Sequence, residues 1–185
     1  MKEELNSITE TLKVAFQSHQ IVSCYYYDSD GDACSDSYDG YIAAMDTEMI
    51  VIACISADGL YDGFVLEKIE NVYRIDRDTY YEKKRGKLYS LKGSQHPKLN
   101  FSEEKNLLTE FLDYSMSQHL VITLILKSGD SPTGYLAAYT KDAVTLHQLN
   151  KAAEDMGTTV VRIGEILSLE LDQYYEQCLR LLYEC

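Results

Sequence analysis

Five aspartates, Asp28, Asp30, Asp32, Asp36 and Asp39, fall within twelve residues, and six basic residues fall between Lys83 and Lys98. These are the two places where residue type and spacing suggest chemistry. Crowded carboxylates repel one another, and a hard cation such as Ca²⁺ relieves that repulsion through oxygen coordination, so Asp28, Asp30 and Asp32 are the metal candidate. The EF-hand frame is incomplete, however, with Ala33 where its glycine is required and Asp39 where a bidentate Glu is usual. The competing reading is a solvated hairpin tip whose charges discourage edge pairing. Lys83, Lys84, Arg85 and Lys87, with Tyr89 and His96 interleaved, are the nucleic-acid candidate, through counterion release and base stacking. Its competing reading is a solvated linker whose cations offset two acidic domains.

Other reactive types form no catalytic set. His19, His96, His119 and His147 lack metalloprotease spacing, and His19 and His119 stand at nearly equivalent helix ends, where the dipole favours a cation. Gly129-Asp130-Ser131-Pro132-Thr133-Gly134 is one residue too long for a nucleophile elbow. Cys24, Cys34, Cys54, Cys178 and Cys185 are odd in number and widely spaced, which argues against a disulfide framework or a zinc site. We therefore expect no catalytic residues and no cofactor.

The whole chain of 185 residues carries a formal net charge of −13. Such a molecule repels phosphate backbones and acidic membranes at long range. No leader and no apolar run of about 20 residues is evident, so the expectation is a cytoplasmic protein with no membrane segment. Sixteen tyrosines and no tryptophan suit half-buried strand surfaces.

The elements follow from periodicity. Leu5, Ile8, Leu12, Ala15 and Phe16 recur at helical spacing behind Glu3 and Glu4, which predicts an amphipathic opening helix over Lys2 to Gln20. Strands are predicted over Ile21 to Tyr27, Tyr38 to Met45, Met49 to Ile55, Phe64 to Ile69 and Val72 to Ile75, separated by Asp/Gly turns. The third, almost wholly apolar, is expected to be covered on both faces. Residues 83–100 then form a basic linker that begins as a helix. Ser102, Glu103 and Glu104 are expected to start a second helix with Leu108, Phe111 and Leu112 on its apolar stripe.

The chain then repeats itself. From Gly40 to Glu82 it matches Gly134 to Glu176 without a gap at an offset of 94, with ten identities. Before the first hairpin the offset is read as 99, pairing Ser18 with Ser117, so the first hairpin is five residues longer. A period this long means a duplicated domain. After it, Leu171, Tyr175, Cys178 and Leu182 are expected on the packing face of a closing helix.

A helix followed by five short strands, with Gly40, Asp46 and Met49 spaced as in the Sm signature, resembles the Sm-like fold of the Sm, LSm and Hfq proteins. Lys68-Ile69-Glu70-Asn71-Val72 and Arg162-Ile163-Gly164-Glu165-Ile166 resemble its second signature, although Ile69 replaces a glycine. Gly40 and Gly134 suit a sharply bent strand, and Asp46, with Thr140 as a weaker counterpart, suits acceptance of backbone N–H groups across a tight turn. The resemblance implies an α+β fold: tandem Sm-like domains over residues 1–82 and 101–185, each a helix plus a strongly bent five-stranded antiparallel sheet, with C-terminal helical extensions. It also implies assembly by pairing strand four of one unit with strand five of the next, within one chain or between chains.

At the positions where that family reads a base stand Glu48 and Ile50, and in the second copy Asp142 and Val144. An acid supplies no stacking face and an aliphatic chain no hydrogen bond, so contacts worth ~1–3 kcal/mol per base are missing from both copies. The expected function is a non-enzymatic interaction or assembly protein that has lost base recognition, with protein partners, self-association through strand edges and no nucleic acid. The alternative is an RNA-binding regulator acting through the basic linker or another face of the assembly.

Overall fold

The computed structural model describes residues 2–102 and 106–185, with the backbone alone for residues 2–7. The predicted roles of Glu103 and Glu104, and of the Glu3, Glu4 and Leu5 side chains, lie outside the described residues. The fold is α+β, with four α-helices against one open antiparallel sheet of ten strands among the described residues.

Helix α1, Lys2–Ser18, buries Leu12 and Ala15 and ends at His19, whose φ of 50° turns the chain sharply into the sheet. Strands β1 Ile21–Tyr27, β2 Ala33–Met45, β3 Met49–Ile55, β4 Tyr61–Lys68 and β5 Val72–Arg77 follow. Helix α2, Tyr80–Leu91, closes this half. Helix α3, Leu107–Ser117, opens the next half, followed by β6 Val121–Leu126, β7 Thr133–Tyr139, β8 Ala143–Leu149, β9 Asp155–Arg162 and β10 Ile166–Leu171, then helix α4, Tyr174–Tyr183.

The strand order is β5-β1-β2-β3-β4-β10-β6-β7-β8-β9. Each half therefore has the same internal order, its fifth strand beside its first, and the halves are joined by β4 against β10. At that joint Leu66 lies opposite Leu169 and Phe64 opposite Leu171. The register slips between Ile42 and Ala44 and between Leu136 and Ala138, which are equivalent positions. Such bulges sharpen the bend of a strand, letting each half curl over the apolar side chains beneath it.

Several expectations are corrected. His19 and His119 both have positive φ, and Ile21 and Val121 both face the tyrosine after the repeat glycine, so the early offset is 100 rather than 99. Strand β2 starts at Ala33, because alternation through polar residues is as good a ladder as an apolar run when one side faces water. Strands β4 and β9 likewise begin earlier than their apolar cores. Asn106, not Ser102, caps α3, its side chain accepting from Thr109 N at 2.8 Å. In α4 the packed positions are Glu176 and Leu179, whereas Tyr175 and Leu182 are 45% and 60% exposed.

Two cores explain the layering. α1, β1, β2, the inner face of β3 and Val65 enclose the first, around Leu12, Ile42, Ile50 and Ile52. The second is shared: Val51, Ala53, Phe64 and Leu66 from the outer face of β3 and β4 pack with Phe111 and Leu112 of α3 and with Ile122, Leu146 and Leu169. Strand β3 is thus buried on both faces. A smaller cluster places Leu179 of α4 on Val121, Tyr135 and Leu149.

Candidate functional site

Gly40 and Gly134 stand where β2 meets β3 and β7 meets β8. A Cβ on Gly40 would lie 1.9 Å from Ala53 O, and one on Gly134 2.0 Å from His147 O. No side chain fits that approach. The Asp46 carboxylate accepts from Glu48 N and Met49 N, both at 2.8 Å, while its second oxygen accepts from Leu107 N at 3.1 Å. Asp46 therefore closes the β2–β3 turn and also holds the first turn of α3, where an acid is favoured. The Thr140 hydroxyl accepts from Asp142 N and Ala143 N at 3.2 and 3.1 Å. Met49 is half-buried.

At the positions that the resemblance assigns to base reading, Ile50 and Val144 are both wholly buried. In the first half a cavity of about 450 Å³ is lined by Thr9, Thr47, Glu48, Met49, Lys68, Ile69 and Glu70. It offers a base no aromatic ring.

Asp28 is consumed by its own turn. One carboxylate oxygen accepts from Asp30 N and Asp32 N, each at 3.0 Å, around Gly31 in a left-handed conformation. Among the described residues no group of three or more His, Cys, Asp or Glu is placed to hold a metal ion.

The basic stretch divides between surface and interior. Lys83, Lys84 and Lys87 are exposed on α2. Arg85 instead pairs with Asp39 at 2.7 Å, each side chain 17% exposed, and donates to Ile55 O at 2.8 Å. Tyr89 and His96 also point inward: His96 Nε2 lies 2.9 Å from Cys54 O and Nδ1 2.7 Å from the Tyr89 hydroxyl. A carbonyl only accepts, so Nε2 carries the proton and Nδ1 accepts from Tyr89. Burial lowers the His96 pKa to about 4, keeping the ring neutral. The stretch begins as a helix and is largely exposed, as expected, but Arg85, Tyr89 and His96 anchor it to the sheet.

Sequence reasoning passed over two sets of contacts with a counterpart in each half, and a pair of buried glutamates between the halves. The first is a pair of struts. Glu82, in the capping box of α2, accepts from Ser23 at 2.7 Å, and its repeat mate Glu176 accepts from Thr123 at 2.5 Å. The matching Tyr-Tyr-Glu triplets were the available signal. Near the joint between the halves lie Glu67, 2% exposed, and Glu170, with Tyr38 donating to Glu170 at 2.9 Å and Lys68 N and Asn71 donating to Glu67. Burial raises both carboxyls to about 7.

The second is a ring trio present in each half. In the second half His119 stacks on Tyr135, with centroids 4.5 Å apart and planes 16° apart, and Tyr183 closes over Tyr135 at 5.4 Å. In the first half the equivalents are His19, Tyr41 and Tyr89. There the space is open, a cavity of about 530 Å³ lined by all three together with Phe64, His96 and Lys98. Tyr41 packs edge-on against His96 at 5.4 Å instead of against His19.

No helix of the described residues is long and apolar enough to cross a membrane. No protein-family model, no curated protein and no solved structure matches the chain.

Proposed function

We propose that this protein is a non-enzymatic interaction and assembly protein, built from two Sm-like units that have lost base recognition. The observation that carries this reading is the pair of open sheet edges. β5 and β9 end the sheet, while the equivalent strands β10 and β4 are paired to each other inside the chain. Unpaired N–H and C=O groups along an edge are a template for a further strand. Repeating the internal joint between two copies sets Val160 opposite Ile75 and Val161 opposite Arg74, by the offset that relates the halves.

The strength of such pairing is limited. Where the first half offers Val51, Ala53 and Phe64 to the joint, the second offers Thr145, His147 and Thr158. Replacing apolar surface by hydroxyl and imidazole groups removes most of the ~25 cal/mol per Å² that burial supplies. Association is therefore weak and concentration-dependent, leaving the edges available to other proteins. The buried Ile50 and Val144 support the loss of base reading.

Light scattering on the full chain tests the reading. Its apparent mass rises above the 21.1 kDa of one chain with concentration, and Val160→Lys, at a 66% exposed position, returns it to one chain. A mass that stays at one chain throughout sinks the self-pairing. The exposed Lys83, Lys84 and Lys87 favour the second reading, an RNA-binding regulator. Anisotropy with a uridine-rich oligonucleotide at physiological salt, lost when those lysines become Glu, would put it first.

A further inference from the structure

The second half shows what the ring trio accommodates. There a planar ring, His119, lies flat on Tyr135, and Tyr183 also packs on Tyr135. The backbone is the same in the first half: His19 and His119 have φ of 50° and 51°, and Tyr41 faces Ile21 as Tyr135 faces Val121. Yet His19 and Tyr41 both line an open cavity with no ring contact between them among the described residues.

What holds the slot open is the segment after α2. His96, pinned between Cys54 O and the Tyr89 hydroxyl, packs on Tyr41, on Tyr89 and on Phe64 at 5.3 Å. In the second half the rings packed on Tyr135 among the described residues are His119 and Tyr183, with no second histidine among them. A cavity of about 530 Å³ is the size of a small-molecule site, and aromatic walls with a few placed polar groups are the usual lining of one. The charge is also particular. In a molecule of net charge −13 this lining contains no acid, and its one lysine or arginine is Lys98, exposed and outside any ion pair among the described residues. Neutral His96 adds no charge.

We propose that this cavity is a binding site for a small planar aromatic anion, its ring inserted between His19 and Tyr41 and its carboxylate or similar acid group facing Lys98. Ring stacking supplies the affinity, and the lone lysine selects the anion over a neutral ring of the same shape. The site is separate from the sheet edges and does not rest on the assembly reading.

The test uses 2-naphthoate and the neutral 2-naphthylmethanol, titrated calorimetrically into the full chain. Naphthoate binds about tenfold tighter than the alcohol, the factor expected of one charge-assisted contact. Lys98→Glu, at an exposed position, removes that preference and leaves the alcohol unchanged. Ala43→Phe fills the slot and abolishes binding of both probes, with folding checked by circular dichroism. His19→Asn, which keeps a residue tolerant of the left-handed backbone, weakens both probes without risk to the core. Lys151→Glu, remote from the cavity, changes neither. Failure of naphthoate to bind at millimolar concentration overturns the proposal. So does binding that is indifferent to both His19→Asn and Lys98→Glu.

Discussion

At the scale of single residues, burial decides which charged groups act and which are bystanders. Glu67 and Glu170 have folded-state pKa values of about 7, against an ordinary 4.5, because burial disfavours their charged forms. Between those values the folded chain holds protons that the unfolded chain has released, so their contribution is fully present below about pH 4.5 and is lost as pH rises to about 7. His96 acts in the opposite sense: its folded value near 4 lies below the ordinary 6.5, so its contribution is lost as pH falls through that window. Glu170→Gln keeps an acceptor for Tyr38 and removes the buried charge. Urea unfolding will show it about 1–2 kcal/mol more stable than the native chain at pH 8, and nearly equal at pH 4.5. Neither glutamate was recognisable in the sequence. Each sits in a strand of mixed polarity, and only the β4–β10 joint shows that the polar position faces inward.

At the scale of elements, α2 shows how one basic stretch contains two kinds of residue. Helical geometry points Lys83, Lys84 and Lys87 at water and Arg85 at the sheet, where it neutralises Asp39 and donates to Ile55 O. Arg85→Ala would leave Asp39 partly buried without its counter-ion, with the Ser37 hydroxyl as its remaining donor, and a loss of about 2–4 kcal/mol in chemical denaturation is expected. Lys83→Ala and Lys84→Ala should each change stability by less than about 0.5 kcal/mol. Equal effects at all three positions would refute the division. Residue types placed the cations correctly along the chain but left their facing open, since the stripe that orients α2 is made by a capping glutamate and an arginine rather than by apolar residues. The same limitation misplaced the packing face of α4. Its most apolar stripe, with Tyr175 and Leu182, faces outward, while the strut Glu176 and the single Leu179 hold the helix down.

At the scale of the whole molecule, the two halves form one sheet and share one of its cores. A chain ending at residue 100 would expose Val51, Ala53, Phe64 and Leu66 and lose the α3 side chains that cover them. It is expected to aggregate or self-associate in light scattering; a folded, monomeric first half would show that the joint is incidental. The sequence by itself determined the element order and the apolar centre of each strand, and pointed to the likeness of the halves, because alternation, Asp/Gly turns and the spacing of Gly40 and Gly134 are local properties that survive without any partner. It also carries the proposal that base recognition is missing, since the side chains of Glu48, Ile50, Asp142 and Val144 offer neither a stacking ring nor an amide for a base edge. Only the tertiary structure decided that β4 joins β10, that the outer face of β3 serves the second core, and that His96 folds back to hold the first ring trio open while the second closes on itself. Those outcomes depend on contacts between residues far apart in the chain, such as Tyr38 with Glu170, which no local pattern encodes.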